Sequence, residues 1–150
     1  MSPARSEEQE FADALVSFVR GFGLHRPERT PCGFDAGVAE AHALSELRTG
    51  PLRQSELVAR LGLTKSTVSR LVSVLVDRGW AGRDVADDDG RGVNVRLTHA
   101  GRDAAARLSN ARTRRMRALL DAVPAERRRQ VIDTLELLQE AARASDPRHA

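Results

Sequence analysis

The polar side chains between Leu63 and Gly79 share one face of a predicted helix. Apolar residues recur there at i, i+3, i+4, i+7 and i+8, the spacing of a single buried stripe: Val68, Leu71, Val72, Leu75 and Val76. The opposite face carries short hydroxyls, two cations and one acidic residue, with Thr64 placed to cap the first turn: Lys65, Ser66, Thr67, Ser69, Arg70, Ser73 and Asp77. Such side chains let a helix approach phosphates and base edges closely. This face therefore predicts contact with a nucleic acid, the alternative being an ordinary solvated surface.

The elements on either side of this helix predict a helix-turn-helix. A shorter amphipathic segment, Gln54 to Leu61, has an apolar face of Leu57, Val58 and Leu61. It stops at Gly62, which can adopt the left-handed conformation that ends helices. Gly62, Leu63 and Thr64 then form a tight turn before the second helix.

A polar, glycine-bearing turn at residues 87–92 follows the second helix and predicts a β-hairpin. Val93, Val95 and Leu97 alternate with polar residues, as expected of a half-buried strand. Arg91 lies between two glycines that keep the tip thin, so its side chain is suited to a narrow minor groove. Arg83 adds a further cation to this wing.

Two segments of the chain resemble the multiple-antibiotic-resistance regulator (MarR) family of bacterial repressors: PLRQSELVARLGLTKSTVSRLVSVLVDRGW and DDDGRGVNVRLTHAG. The wing motif of that family is matched by Asp89, Arg91, Leu97, Thr98 and Gly101. The resemblance is specific over roughly residues 38–108. It implies a homodimer that binds a pseudo-palindromic, double-stranded DNA operator through two winged domains. A small molecule, an oxidant or a metal ion is expected to change the spacing of these two domains and release the DNA.

The expected fold is mainly α with a small β-wing, in a single MarR-like domain of residues 1–150. Its winged helix-turn-helix part is residues 37–98, and its helical dimerisation part is residues 1–24 and 99–150. The predicted DNA-binding residues are Thr64, Lys65, Ser66, Thr67, Ser69, Arg70, Ser73, Arg83, Asp89 and Arg91. Among them, Asp89 is expected to orient an arginine instead of meeting DNA.

Both ends of the chain predict amphipathic helices that need a partner surface. Ser6 and Gln9 have capping-box spacing and precede an apolar stripe of Phe11, Leu15, Phe18 and Phe22. Thr98 is placed to cap a long helix to about Ala122. Pro124 suits the first position of a last helix with a stripe of Val131, Leu135, Leu138 and Ala142. We expect these stripes to meet in a homodimer, the alternative being an intramolecular bundle in a monomer.

Composition narrows the class of protein. The 150 residues are 41% hydrophobic, the N-terminal sequence is polar, and no apolar run approaches the roughly 20 residues of a membrane span, so we expect a cytoplasmic protein. The net charge of +3 supports nucleic-acid binding only weakly. The sequence motifs do not provide a nucleophile, a base and an orienting group for catalysis. His99 is better explained as the first residue of a capped helix than as a catalytic residue. We expect neither an enzyme nor a bound cofactor.

The signal that such a regulator would sense is left open by the sequence. Cys32 is the only cysteine and lies in a Pro-Cys-Gly turn, where an inert thiol is the simpler interpretation. The alternatives are a redox-responsive regulator that uses Cys32 and a metal site formed by His25, Cys32, Glu40 and His42. The histidines that zinc-sensing members of the MarR family carry on the long helix are missing here. The favoured effector is a small, anionic aromatic compound near His42, at a site that the sequence does not locate. A winged helix used for protein interaction is the competing function.

Overall fold

The computed structural model describes residues 5–85 and 92–146 and confirms a mainly helical fold with a small antiparallel sheet. The elements are α1 (Glu7–Phe22), α2 (Val38–Leu47), β1 (Leu52–Arg53), α3 (Gln54–Leu61), α4 (Lys65–Asp77), β2 (Ala81–Val85), β3 (Val93–Leu97), α5 (His99–Asp121), a 3-10 turn (Ala125–Arg127) and α6 (Arg128–Ala144). The chain divides into two compact units, Met1–Arg112 and Thr113–Ala150, so the division falls inside α5.

The core of the first unit is built from the predicted stripe of α4 and its neighbours. Val68, Leu71, Val72 and Leu75 are buried, and Val76 is partly buried. They pack with apolar residues of α2, α3, α5 and the sheet, which include Leu44, Leu57, Val95 and Leu108. Each such side chain contributes about 1.5–3 kcal/mol through removal of apolar surface from water. Packing of this buried stripe in the core therefore fixes the orientation of the outward face of α4.

The wing is a three-stranded antiparallel sheet in the order β1-β3-β2. β3 pairs with β2 from Ala81 opposite Leu97 to Val85 opposite Val93, and with β1 at Leu52 opposite Val95. The sequence predicted a two-stranded hairpin; β1 has only two residues, too few to show a period-two pattern. Val95 and Leu97 are buried as predicted, while Val93, on the same face at the far end of the strand, is 39% exposed.

The turn before α4 is formed as predicted. Gly62 has a φ of 63° and its N–H donates to the Val58 carbonyl at 3.0 Å, which ends α3. The Thr64 hydroxyl accepts a hydrogen bond from the Thr67 N–H at 3.2 Å and caps α4. Both devices fix the direction in which α4 leaves the turn.

Thr98 joins the end of the wing to the ends of two helices. Its hydroxyl donates to the Gly79 carbonyl at 2.6 Å and accepts from the Gly101 N–H at 3.0 Å, while its own N–H donates to the Trp80 carbonyl at 3.0 Å. A Cβ on Gly101 would lie 1.8 Å from the Trp80 carbonyl oxygen, well inside any permitted contact. The predicted cap at Thr98 is confirmed, and the glycine three residues later is explained by this close approach of two backbones.

A second junction connects the loop before α2 to the end of α4. The Arg78 guanidinium lies 3.0 Å from the Glu40 carboxylate, donates to the Asp35 carbonyl at 2.8 Å and stacks 4.5 Å from the centre of the Trp80 ring. Phe34 packs against the same ring, with 5.9 Å between centroids. Because Arg78 and Glu40 are partly buried, solvent screens their attraction less than that of an exposed pair.

α1 begins as predicted but buries none of its residues within the described part of the chain. The Ser6 and Gln9 capping box is present, with the Ser6 N–H donating to the Gln9 side chain at 3.2 Å. Phe11 is 53% exposed, and Phe18 stacks on Phe22 with 5.6 Å between ring centroids. The predicted apolar stripe is thus a solvent-facing surface of this chain.

α6, in the second unit, also presents an apolar face and has no buried residue among those described. Leu135 is 52% exposed, and Val131 and Ile132 lie beside it on the same face. Pro124 does not occupy the first position of this helix as predicted, because a 3-10 turn intervenes and α6 begins at Arg128. The Arg128 side chain donates to the Val123 carbonyl at 3.1 Å and closes this connection.

Candidate nucleic-acid interface

The outward face of α4 presents two cations with no partner in the described structure. Lys65 and Arg70 are exposed, and neither forms a hydrogen bond or an ion pair with any side chain or backbone group of residues 5–85 and 92–146. Ser66 and Ser69 lie between them and are exposed. This part of the face is therefore free to contact an external anion.

The N-terminus of α4 adds a positive electrostatic potential to this face. Its first turn contains no acidic residue and begins with Lys65. The unpaired N–H groups of a first helical turn and the helix dipole favour a phosphate at this end. The hydroxyls of Ser66 and Thr67 lie 3.2 and 2.8 Å from that of Thr64, so the three predicted hydroxyl contacts form one cluster beside Lys65.

Arg83 and Ser73 are both predicted DNA contacts, and the structure brings them to each other. Arg83 on β2 donates to the Ser73 hydroxyl at 2.8 Å and to the Ser69 carbonyl at 3.1 Å, and Ser73 donates to the same carbonyl at 3.1 Å. These bonds fix the wing strand against α4. The sequence offered no signal for this pairing because the residues belong to two different elements.

We expect Arg83 and Ser73 to act as a coupled pair. Arg83→Ala and Ser73→Ala should each lower the free energy of unfolding by about 1 kcal/mol. The double variant should be less destabilised than their sum by about 0.5–1 kcal/mol, since each single change already breaks the shared bond. Denaturant titration of the four proteins measures this coupling. Additive effects would show that Arg83 does not bind Ser73 in solution.

The base of the wing is held by an ion pair between its strands. Arg96 on β3 donates to the carboxylate of Asp84 on β2, and this carboxylate raises the pKa of Arg96. The Arg96 guanidinium also covers Gly82, its partner in the strand register. Asp89 and Arg91 lie outside the described residues, so the assignment of the wing tip to a minor groove stays a prediction.

A cavity of about 380 Å³ beside Lys65 extends the candidate interface to residues that sequence reasoning missed. Its lining comes from the start of α3, the start of α4 and the end of the wing: Arg53, Gln54, Ser55, Val58, Lys65, Gly92 and Val93. Gln54 and Ser55 are polar residues in the first turn of α3, which also contains Glu56. Their position in the sequence, directly after Arg53, could have marked them as candidates for an interface with DNA.

The candidate sensing residues do not form a metal site in the part of the chain that the structure describes. Residues 5–85 and 92–146 contain no group of three or more histidine, cysteine, aspartate or glutamate side chains arranged to hold a metal ion. Cys32 is partly buried and donates to the Thr30 hydroxyl at 3.4 Å, while Glu40 accepts from the Gly37 N–H and faces Arg78. Burial, and then the charge of Arg112, lower the pKa of His42, an effect that Glu46 opposes.

Two short helices joined by a tight turn, followed by a β-hairpin that pairs with a strand just before the first helix, define a winged helix-turn-helix protein. Residues 35–92 match the family model described as MarR family. This match confirms the resemblance to the MarR family that was inferred from the sequence.

Solved structures extend the likeness in fold to nearly the whole chain. A MarR transcriptional regulator from Methanosarcina mazei Go1 is 24% identical, with 89% of this chain and 96% of that chain covered and a TM-score of 0.69. Sco3205 from Streptomyces coelicolor, solved in complex with DNA, is 19% identical over 93% and 94% of the two chains with a TM-score of 0.74.

PcaV, also from Streptomyces coelicolor and solved with its natural ligand, is 22% identical over 95% and 99% of the two chains with a TM-score of 0.67. No curated protein matches the sequence. Within the described residues, every helix is too short or too polar to cross a lipid bilayer.

Proposed function

We propose that this protein is a homodimeric transcription regulator that binds double-stranded DNA and represses genes until a small-molecule effector releases it. The observation that carries DNA binding is the outward face of α4, where Lys65 and Arg70 have no partner in the described structure. The capped N-terminus of α4 adds a site for a phosphate. Sco3205, with the same fold, was solved in complex with DNA, which supports DNA binding by this chain.

The proposed operator is a pseudo-palindrome because a twofold dimer presents two copies of α4. Its half-sites should lie about one helical turn, or roughly 10 base pairs, apart. Selection from random or genomic fragments, followed by footprinting, identifies this sequence. Recovery of no enriched sequence, combined with failure to bind heparin or nonspecific DNA at low salt, would favour a protein-interaction module instead.

We expect Arg70→Ala to weaken operator binding by about 1–3 kcal/mol. If Arg70 contacts a base, preference for the operator over unrelated DNA falls; if it binds a phosphate, affinity falls uniformly and the salt slope decreases by about one unit per subunit. Fluorescence anisotropy over a range of salt concentrations separates the two cases.

Arg107→Ala is the matched control for this experiment. Arg107 is an exposed arginine on α5 that also lacks a partner among the described residues, and its loss changes the net charge equally. This variant should keep the affinity of the unmodified protein. Equal losses of operator affinity in the two variants would mean that only the overall charge matters, and would contradict the assignment of α4 as the DNA-contacting helix.

The proposed effector is a small molecule; PcaV, which has the same fold, was solved in complex with its natural ligand. We expect Cys32→Ser to bind DNA as tightly as the unmodified protein, both with and without peroxide. The serine hydroxyl can keep the hydrogen bond to Thr30. Cys32 is the only cysteine of the sequence, so oxidation cannot form a disulfide within one chain. Release of the unmodified protein by peroxide, with Cys32→Ser spared, would make the thiol the sensor.

A further inference from the structure

Lys65 is the only lysine of the sequence, although lysine and arginine together account for 24 residues. Every other permanently charged side-chain cation is therefore a guanidinium group. A guanidinium keeps its charge at all physiological pH values, whereas the amine of lysine is the side-chain group that accepts an acyl group. Stable acylation of a side-chain nitrogen is thus confined to one position in this chain.

That position is the first residue of α4, on the candidate DNA-binding face. Lys65 is exposed and forms no hydrogen bond or ion pair with residues 5–85 and 92–146. The neighbouring hydroxyls of Thr64, Ser66 and Thr67 contact one another instead. An acyl donor therefore meets an amine that no carboxylate of the described residues holds.

The cavity beside Lys65 gives a small donor room to approach the amine. Its volume of about 380 Å³ lies within the roughly 300–1,000 Å³ of sites that hold small molecules. Among the described residues that line it none is acidic, and Glu56, in the first turn of α3, accepts the Arg53 backbone N–H at 2.8 Å. The first turn of α4 also lacks an acidic residue, so these surroundings favour a donor with negative charge.

We propose that Lys65 is an acylation site and that its donor is a small acyl phosphate. The neutral amine attacks the carbonyl carbon of the donor, so that a carbon–nitrogen bond forms and the bond from this carbon to the phosphate oxygen breaks. Inorganic phosphate leaves, and the proton lost by nitrogen passes to water. The products are an uncharged amide and phosphate, and no atom is oxidised or reduced.

The amide changes the charge of the candidate DNA-binding face. It removes the cation at the start of α4, so an interaction of Lys65 with a DNA phosphate is lost. The helix itself should not be weakened, because a positive charge at a helix N-terminus opposes the helix dipole. Acylation would therefore lower DNA affinity without unfolding the chain. This effect on DNA rests on the proposed function; the acylation of Lys65 does not.

Incubation of the full chain with acetyl phosphate, followed by trypsin digestion and mass spectrometry, tests the site, with acetate plus inorganic phosphate as the negative control. Trypsin cleaves after Lys65 in the unmodified chain, so acetylation should leave residues 61–70 as one peptide that carries one acetyl group. A synthetic peptide of residues 61–70, blocked at its N-terminus, is the unfolded reference. We expect Lys65 of the folded chain to react at least as fast as this peptide.

Operator binding measures the consequence of the modification. Acetylation should weaken binding about tenfold for each modified subunit at about 0.1 M salt, since one phosphate contact changes log K by about 0.9 per tenfold change in salt. The salt slope should fall by about one unit per subunit. Bound operator should in turn slow acetylation of Lys65 about tenfold, because binding and modification oppose each other reciprocally.

Three variants separate the charge of Lys65 from its reactivity. Lys65→Gln removes the charge and should weaken operator binding as acetylation does. Lys65→Arg keeps a charge that cannot be acylated, so its operator affinity, whatever its starting value, should not respond to acetyl phosphate. Arg107→Gln removes an exposed arginine of α5 and should respond as the unmodified protein does. Circular dichroism and thermal unfolding should show that acetylation does not destabilise the chain.

A rate at Lys65 more than tenfold below that of the peptide would overturn the acylation site. An equal response of Lys65→Arg and the unmodified protein to acetyl phosphate would assign the loss of DNA binding to another group and refute the switch. Acetylation that leaves operator affinity unchanged would also refute the switch. Reaction with an acetyl thioester but not with acetyl phosphate would refute the donor, and a chain that is acetylated at Lys65 but binds no DNA before treatment would refute the proposed function alone.

Discussion

Gly101→Ala is expected to destabilise the winged domain by about 3 kcal/mol or more, as overpacking against a rigid neighbour does. The new Cβ would lie 1.8 Å from the Trp80 carbonyl oxygen and 2.8 Å from its carbonyl carbon. The clashing atoms belong to the backbone of Trp80, so rotation of a side chain cannot relieve the contact and α5 must move away from Trp80. That movement breaks the bonds from Thr98 to Gly79 and Trp80. Thermal and denaturant unfolding measure the loss.

Gly21→Ala is the control for this substitution. Gly21 is also a helical glycine, in α1, but a Cβ there meets nothing within 4 Å. Alanine at an exposed helix position is favoured over glycine, so stability should be unchanged or rise by up to about 1 kcal/mol. Equal stability of Gly101→Ala and the unmodified protein would mean that α5 and Trp80 are not in contact in solution.

Leu135→Asp is expected to raise the dissociation constant of the proposed dimer by roughly a thousandfold. Leu135 is 52% exposed in the single chain, so little intramolecular packing is lost. At a twofold interface it would lose about 2 kcal/mol of apolar burial in each subunit, and the buried carboxylate adds to this cost. Analytical ultracentrifugation should show a dimer for the unmodified protein and a monomer for the variant.

Leu137→Asp makes the same chemical change on the other side of α6. Leu137 is 65% exposed and lies about 200° around the helix from Leu135. This variant should remain a dimer and be as helical as the unmodified protein by circular dichroism. A monomeric mass for the unmodified protein at micromolar concentration would refute the dimer, and dissociation of both variants would refute the choice of face.

Features of the fold that depend on neighbours in sequence were predictable. The start of α3 at Gln54, its end at Gly62 and the cap at Thr64 follow from local propensity and hydrogen bonding. The stripe of α4 is buried as its 3.6-residue period indicated. Long periodic segments and their caps carry this information in the chain itself.

Features that depend on two distant segments were not predictable. The bonds of Arg83 to α4 join residues that no periodic pattern relates. Arg112 on α5 likewise donates to the Ser45 hydroxyl on α2, 67 residues away in the sequence. Arginine is long enough to find a partner on several neighbours, and only the packing of the helices decides which one.

The continuity of α5 has a mechanical consequence. It starts at the Thr98 junction of the first unit and runs for 23 residues, past the boundary at Arg112, to Asp121 in the second. The part of α5 inside the first unit, residues 99–112, is about 21 Å long at 1.5 Å per residue, so a tilt of about 5° about the Thr98 junction moves its far end by about 2 Å. The proposed binding to DNA would be sensitive to such a shift, because the two copies of α4 in a dimer must match major grooves about 34 Å apart.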